Sequence, residues 1–188
     1  SGIFTGPKDR IGIPPMMPLT AAALKTLRAQ PEIDPDNIAV MGSSLGGAIT
    51  RTTFHADFKK LLSENEQGFK AHVAFYPQCT YSLGKFWGSN AEKLIAGGPM
   101  LVVTGTADSY GDGNNCPLLL NELDKVKPGL MELLLLEGVH HGFDSDYNGT
   151  FYDPIAINKQ GIARPNRGAR DKATTVYIKF LNTNMKVL

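Results

Sequence analysis

Residues 38–49 read IAVMGSSLGGAI, a short apolar run that breaks into glycines and serines. Ile38 to Met41 has the look of a strand buried on both faces, and from about Leu45 a helical pattern takes over, with Ile49 and Thr53 on one side. Between them, Gly42-Ser43-Ser44-Leu45-Gly46 fits G-x-S-x-G once, on Ser44. Framed on Ser43, the pattern would need glycine at Met41 and Leu45, and neither is glycine. A serine on a sharp strand-to-helix turn is a candidate nucleophile. It needs small neighbours so that strand and helix can pass closely, here expected to be Gly42 and Gly46. The helix start just beyond offers the free amide of Leu45 to a developing oxyanion.

Outward from this turn, apolar strands alternate with helices. Residues 1–18 are rich in Gly and Pro and read as a loop. Thr20 is the expected N-cap of a helix, Leu19 and Leu24 hold the staple positions, Leu24 and Leu27 form its apolar face, and Pro31 lies past its end. DPDN at 34–37 reads as a turn. AHVAFYP and GGPMLVVTG carry a second and a third strand, and LMELLLLEG a fourth. Pro117 opens a helix with Leu119, Leu120, Leu123 and Val126 inward. A long polar loop is expected from about Asp144 to Asn166. A last helix runs from about Gly168 to Leu181, with Ala169, Ala173, Val176, Tyr177 and Phe180 on its apolar face. This alternation implies an α/β domain spanning 1–188, with a mostly parallel sheet and helices on both faces.

In such sheets the chemistry gathers beyond the carboxyl ends of the strands. Past the third strand, Asp108 is the first carboxylate and Asp112 the runner-up. Past the fourth come His140 and His141. Each is an ordinary loop residue when taken alone. Together with Ser44 they give the order Ser, Asp, His, each from a different strand end. A serine hydroxyl is a weak nucleophile near neutral pH and needs a base within hydrogen-bond reach. Neutral imidazole can take that proton and return it to a leaving group, while a buried carboxylate holds the imidazole in one tautomer.

The pieces PEIDPDNIAVMGSSLGG, AFYPQC, LVVTGTAD and EGVHHGFD, in this order, resemble the dienelactone-hydrolase-like branch of the α/β-hydrolases over roughly Leu19 to Leu181. The resemblance implies an α/β-hydrolase fold and a hydrolase of carboxylic esters or lactone-like substrates. It selects His141, which directly precedes Gly-Phe, over His140, and Asp108 over Asp112. It implies Ser44, His141 and Asp108 as catalytic and Leu45 as one oxyanion donor. Tyr76, Tyr110 and Phe143, with Pro77, are expected to line the substrate pocket. Strict dienelactone hydrolases carry a cysteine nucleophile, so Ser44 points to a more general ester. The family places several strands before the serine turn, whereas here one helix and a loop precede it. The chain is therefore expected to be the C-terminal part of the fold, with the Ile38 strand at an edge. An N-terminal segment or a second chain would then complete the sheet. No second oxyanion donor is evident, although the FTGPKDR loop at 4–10 could line the site. A non-catalytic binding or structural module that keeps the serine turn is the alternative.

Some relatives in this branch carry cysteines at the places of Cys79 and Cys116, which follow the second strand and open the helix after the third. A disulfide between them is therefore expected. It would imply an oxidising compartment, periplasmic or extracellular; unpaired cysteines would fit the cytoplasm. Asn148-Gly-Thr matches the glycosylation pattern. The 188 residues carry a formal net charge of +1 and 20% charged side chains, with Lys and Arg scattered, so no nucleic-acid or membrane partner is indicated. His55, His72 and the His140–His141 pair lack the spacing of a metal-ligand set, and no cofactor is implied.

Overall fold

The computed structural model describes residues 13–63, 66–79, 97–110, 115–153 and 161–186. Asp112 and the loop at 4–10 lie outside them. The elements in chain order are α1 (Ile13–Arg28), β1 (Ala39–Ser43), α2 (Leu45–Thr53), α3 (Ala56–Lys59), β2 (Ala71–Phe75) and β3 (Met100–Gly105). They continue with α4 (Cys116–Val126), β4 (Met131–Leu136), β5 (Phe151–Asp153), β6 (Gly161–Ala163) and α5 (Arg167–Asn184). Strands β1 to β4 form one sheet in sequential order, and every pair in it is parallel.

The two-residue period of the strands sorts their side chains between two cores. Ala71, Val73 and Phe75 of β2, with Leu101 and Val103 of β3, pack under Ala169, Ala173 and Phe180 of α5. The alternate residues Ala74, Met100 and Val102 face Leu119 and Leu123 of α4. A third cluster joins Met17, Ala21 and Leu24 of α1 to Ile38, Phe58 and Phe69. Asn166 caps α5, its side chain accepting from the Ala169 amide at 3.0 Å.

Five expectations change. Helix α1 begins at Ile13, within the stretch expected to be a loop. Pro14 and Pro15 sit in its first turn, where amides have no carbonyl partner inside the helix, so the missing N–H costs nothing there. Thr20 is inside the helix and donates to the Met16 carbonyl rather than capping it. The buried stripe is Met17, Ala21 and Leu24, while Leu19 and Leu27 are exposed. Strand β1 is not buried on both faces: it pairs with β2 alone among the described residues, and Met41 is exposed. Finally, the polar loop after Asp144 contains a small antiparallel pair, β5 with β6. Its second strand leans on the histidine segment, with the amides of Arg164 and Asn166 donating to the carbonyls of His141 and Phe143.

Cys79 and Cys116 are joined in a disulfide, their Cα atoms 5.0 Å apart and both side chains buried. It ties the segment after β2 to the start of α4, on either side of the loop that carries Asp108.

Candidate active site

The parallel register brings four strand ends to one edge. Ser43 pairs with Phe75, Phe75 with Val103, and Gly105 with Leu136. The next residues along each strand are therefore Ser44, Tyr76, the segment running to Asp108, and the segment running to His141.

Ser44 sits between β1 and α2 with φ 54° and ψ −117°, a conformation that L side chains rarely adopt. Two bonds hold it there: its amide donates to the Phe75 carbonyl at 3.1 Å, and its own carbonyl accepts from Ala48 at 2.9 Å. The glycines around it divide the work differently from the expectation. A Cβ on Gly42 would lie 2.4 Å from the Gly46 carbonyl group, and one on Gly47 would lie 2.3 Å from the Phe75 oxygen. A Cβ on Gly46 would meet nothing within 4 Å. The motif's glycine at 42 and the unremarked one at 47 admit the close approach, while Gly46 contributes its backbone as the surface approached.

His141 Nε2 lies 2.9 Å from Ser44 Oγ, and its Nδ1 lies 2.9 Å from Asp108 Oδ2. Asp108 is buried, and its other oxygen accepts from the Tyr110 amide at 2.9 Å, so both carboxylate oxygens are engaged. A carboxylate at Nδ1 makes that nitrogen the donor and leaves Nε2 free to accept from the serine. Ser44 itself is exposed. His140 makes neither contact. Leu45 is the first residue of α2, so its amide has no carbonyl inside the helix to bond.

The three residues expected to line a pocket have three different placements. Tyr110 stacks on the His141 ring, with centroids 4.3 Å apart and planes 21° apart. Gln78 steadies it, donating to the Tyr110 carbonyl at 3.0 Å. Tyr76 is buried, its ring 4.3 Å from that of His141 and its hydroxyl donating to Asp144 Oδ1 at 2.6 Å. Burial and the Asp144 carboxylate push this hydroxyl far above the usual phenol range, with nearby Ser43 working the other way. Phe143 is a correction: it is a core residue, packed on Phe75 and Tyr76, because Gly142 turns the chain inward with φ 64°. Asp144 went unnoticed in the sequence. Its only signal there is that it closes the EGVHHGFD segment.

Among the described residues no group of three or more His, Cys, Asp or Glu is placed to hold a metal ion. No described helix is long and apolar enough to cross a membrane.

A sequence model of the "Dienelactone hydrolase family" matches residues 15–181. No curated protein matches the chain. Among solved structures, a dienelactone hydrolase-like promiscuous phosphotriesterase from metagenomic libraries is 22% identical over 92% of this chain and 63% of its own, with TM-score 0.60. A propionate-bound thermophilic esterase of the planctomycete Thermogutta terrifontis is 20% identical over 92% of this chain and 66% of its own, with TM-score 0.63. Esterase 2 of T. terrifontis phosphorylated by paraoxon is 20% identical over 91% and 65%, with TM-score 0.59. These likenesses speak for the fold. This chain spans a little under two thirds of the length of each.

Proposed function

The chain belongs to the dienelactone hydrolase family, and from that premise we propose that it is a serine hydrolase cleaving carboxylic esters through an acyl-enzyme. It has the α/β-hydrolase fold, of which the described strands cover part. The observation that carries the proposal is the unbroken chain from Ser44 Oγ through both nitrogens of His141 to Asp108, at 2.9 Å for each link.

In this reading the Ser44 hydroxyl gives its proton to His141 Nε2 as its oxygen attacks the ester carbonyl carbon. The oxyanion that forms accepts from the Leu45 amide at the start of α2. Asp108 stabilises the imidazolium through Nδ1–H. Collapse of the tetrahedral intermediate expels the alcohol, which leaves with the proton from Nε2. Water then attacks the acyl group with His141 as base, and the acid departs with Ser44 restored. Tyr110, stacked on His141 and half-buried, is placed to border the bound ester. The reading takes residues 1–188 as one domain. It also places a strand, from an N-terminal segment or a second chain, along the outer edge of β1, which is unpaired among the described residues.

The test is covalent labelling with a fluorophosphonate beside hydrolysis of short p-nitrophenyl esters. Labelling is expected at Ser44, lost in Ser44→Ala and slowed at least about a thousandfold in His141→Ala. A chain that neither labels nor hydrolyses would overturn the proposal and favour a module that keeps the turn without turnover.

A further inference from the structure

Tyr76 does more at this site than border it. It is the first residue past β2, so it stands between the serine turn at the end of β1 and the Asp108 loop after β3. Its backbone has φ 37°, a left-handed conformation that costs a tyrosine energy and persists only where several contacts impose it. Those contacts are present. Its amide donates to the Val103 carbonyl at 2.7 Å, which anchors the residue to β3. Its ring lies 4.3 Å from the imidazole of His141 and 5.6 Å from Phe143. Its hydroxyl donates to Asp144 at 2.6 Å, three residues beyond His141 on the same segment, and the carbonyl of the peptide bond that precedes it, that of Phe75, accepts from the Ser44 amide at 3.1 Å.

By its hydroxyl and by the peptide bond that precedes it, one residue therefore bridges both segments whose separation sets the distance from Ser44 Oγ to His141 Nε2. Resting on the triad reading above, we propose that Tyr76 is a positioning residue, a strut whose hydroxyl, through Asp144, holds the histidine segment in register with the serine turn. At the near end the Phe75 carbonyl, in the peptide bond to Tyr76, holds the serine turn through the Ser44 amide. The hydroxyl acts on Asp144 rather than on Ser44. Held protonated by burial and a carboxylate acceptor, it is a fixed donor, not a group that exchanges protons during turnover. A displacement of about 1 Å between nucleophile and base is enough to slow chemistry by about a hundredfold while leaving substrate binding alone. The strut should therefore govern kcat and not KM.

The experiment uses the full chain with p-nitrophenyl acetate and a fluorophosphonate, comparing wild type with Tyr76→Phe, Asp144→Ala, Asp144→Asn and the double variant Tyr76→Phe/Asp144→Ala. Tyr76→Phe keeps the ring and removes only the hydroxyl. It is expected to lower kcat by about tenfold to a hundredfold and to shift KM by less than about twofold. Asp144→Ala should lose a similar factor, and the double variant no more than either single one, because both break the same link. Asp144→Asn, whose amide oxygen still accepts from the phenol, should recover most of the kcat lost in Asp144→Ala. A kcat for Tyr76→Phe within about twofold of wild type would overturn the strut, as would losses that multiply in the double variant. Should Tyr76→Phe fail to fold, equal kcat in Asp144→Ala and Asp144→Asn overturns it on its own. A wild-type chain that does not label at Ser44, or a His141→Ala that labels as fast as wild type, brings down the triad reading instead.

Discussion

Gly47→Ala tests how closely α2 must sit on the sheet. The new Cβ would lie 2.3 Å from the Phe75 carbonyl oxygen and 3.2 Å from that of Gly42. Against the 3.4 Å at which ordinary contact begins, the first falls short by about 1 Å. Both obstacles are backbone in β1 and β2, so neither can rotate aside, and α2 must lift. Overpacking of this kind costs about 1–3 kcal/mol. Lifting also strains the bond from the Ser44 amide to the same Phe75 oxygen, worth about 1 kcal/mol. The expected destabilisation is therefore about 2–4 kcal/mol. Since Ser44 is the N-cap of that helix, its labelling by a fluorophosphonate should slow by about a hundredfold. Gly46→Ala is the control: a Cβ there meets nothing within 4 Å, and alanine's better helix propensity gives a change between zero and a gain of about 1 kcal/mol. Urea unfolding with a common slope reads the stability. The reasoning fails if Gly47→Ala unfolds at the wild-type midpoint and labels at the wild-type rate, or if Gly46→Ala loses as much as Gly47→Ala.

Two further outcomes can be measured directly. Replacing Cys79 and Cys116 by serine removes a link across a sequence separation of 37 residues, worth about 4 kcal/mol by loop-closure entropy. Denatured, unreduced chain should show no reactive thiol, and finding two would refute the pairing. His72 is wholly buried between Phe54 and Phe69, T-shaped to both rings, with no partner of good geometry on either ring nitrogen. Burial holds its pKa down to about 4, and the Gly98 and Pro99 carbonyls oppose this only in part. Because the unfolded chain takes up the proton first, the stability this neutral ring confers is complete above about pH 6.5 and is lost as pH falls towards 4, about 3 kcal/mol in all. His55, also held low by burial, adds in the same direction. The difference in stability between wild type and His72→Leu should therefore change steadily across that window, and a constant difference would refute the assignment.

What the sequence determined by itself is what short-range pattern encodes. Apolar runs of strand length, helical stripes such as Ala169, Ala173 and Phe180, and the glycine-serine turn each follow from the side-chain periods of strands and helices. The parallel sheet follows from their alternation. Ser44, Asp108 or Asp112, and His140 or His141 could be nominated because a parallel sheet delivers all its strand ends to one edge, and the family resemblance then singled out Asp108 and His141. Tertiary structure alone decided what depends on distance between segments far apart in the chain. Gly47 rather than Gly46 must lack a side chain because the registered β2 places the Phe75 carbonyl against it. Phe143 turns into the core, and Asp144 meets Tyr76 across a gap of 68 residues. The β5–β6 pair belongs to the same class. Each depends on which neighbour packs there, and local propensity carries no information about that.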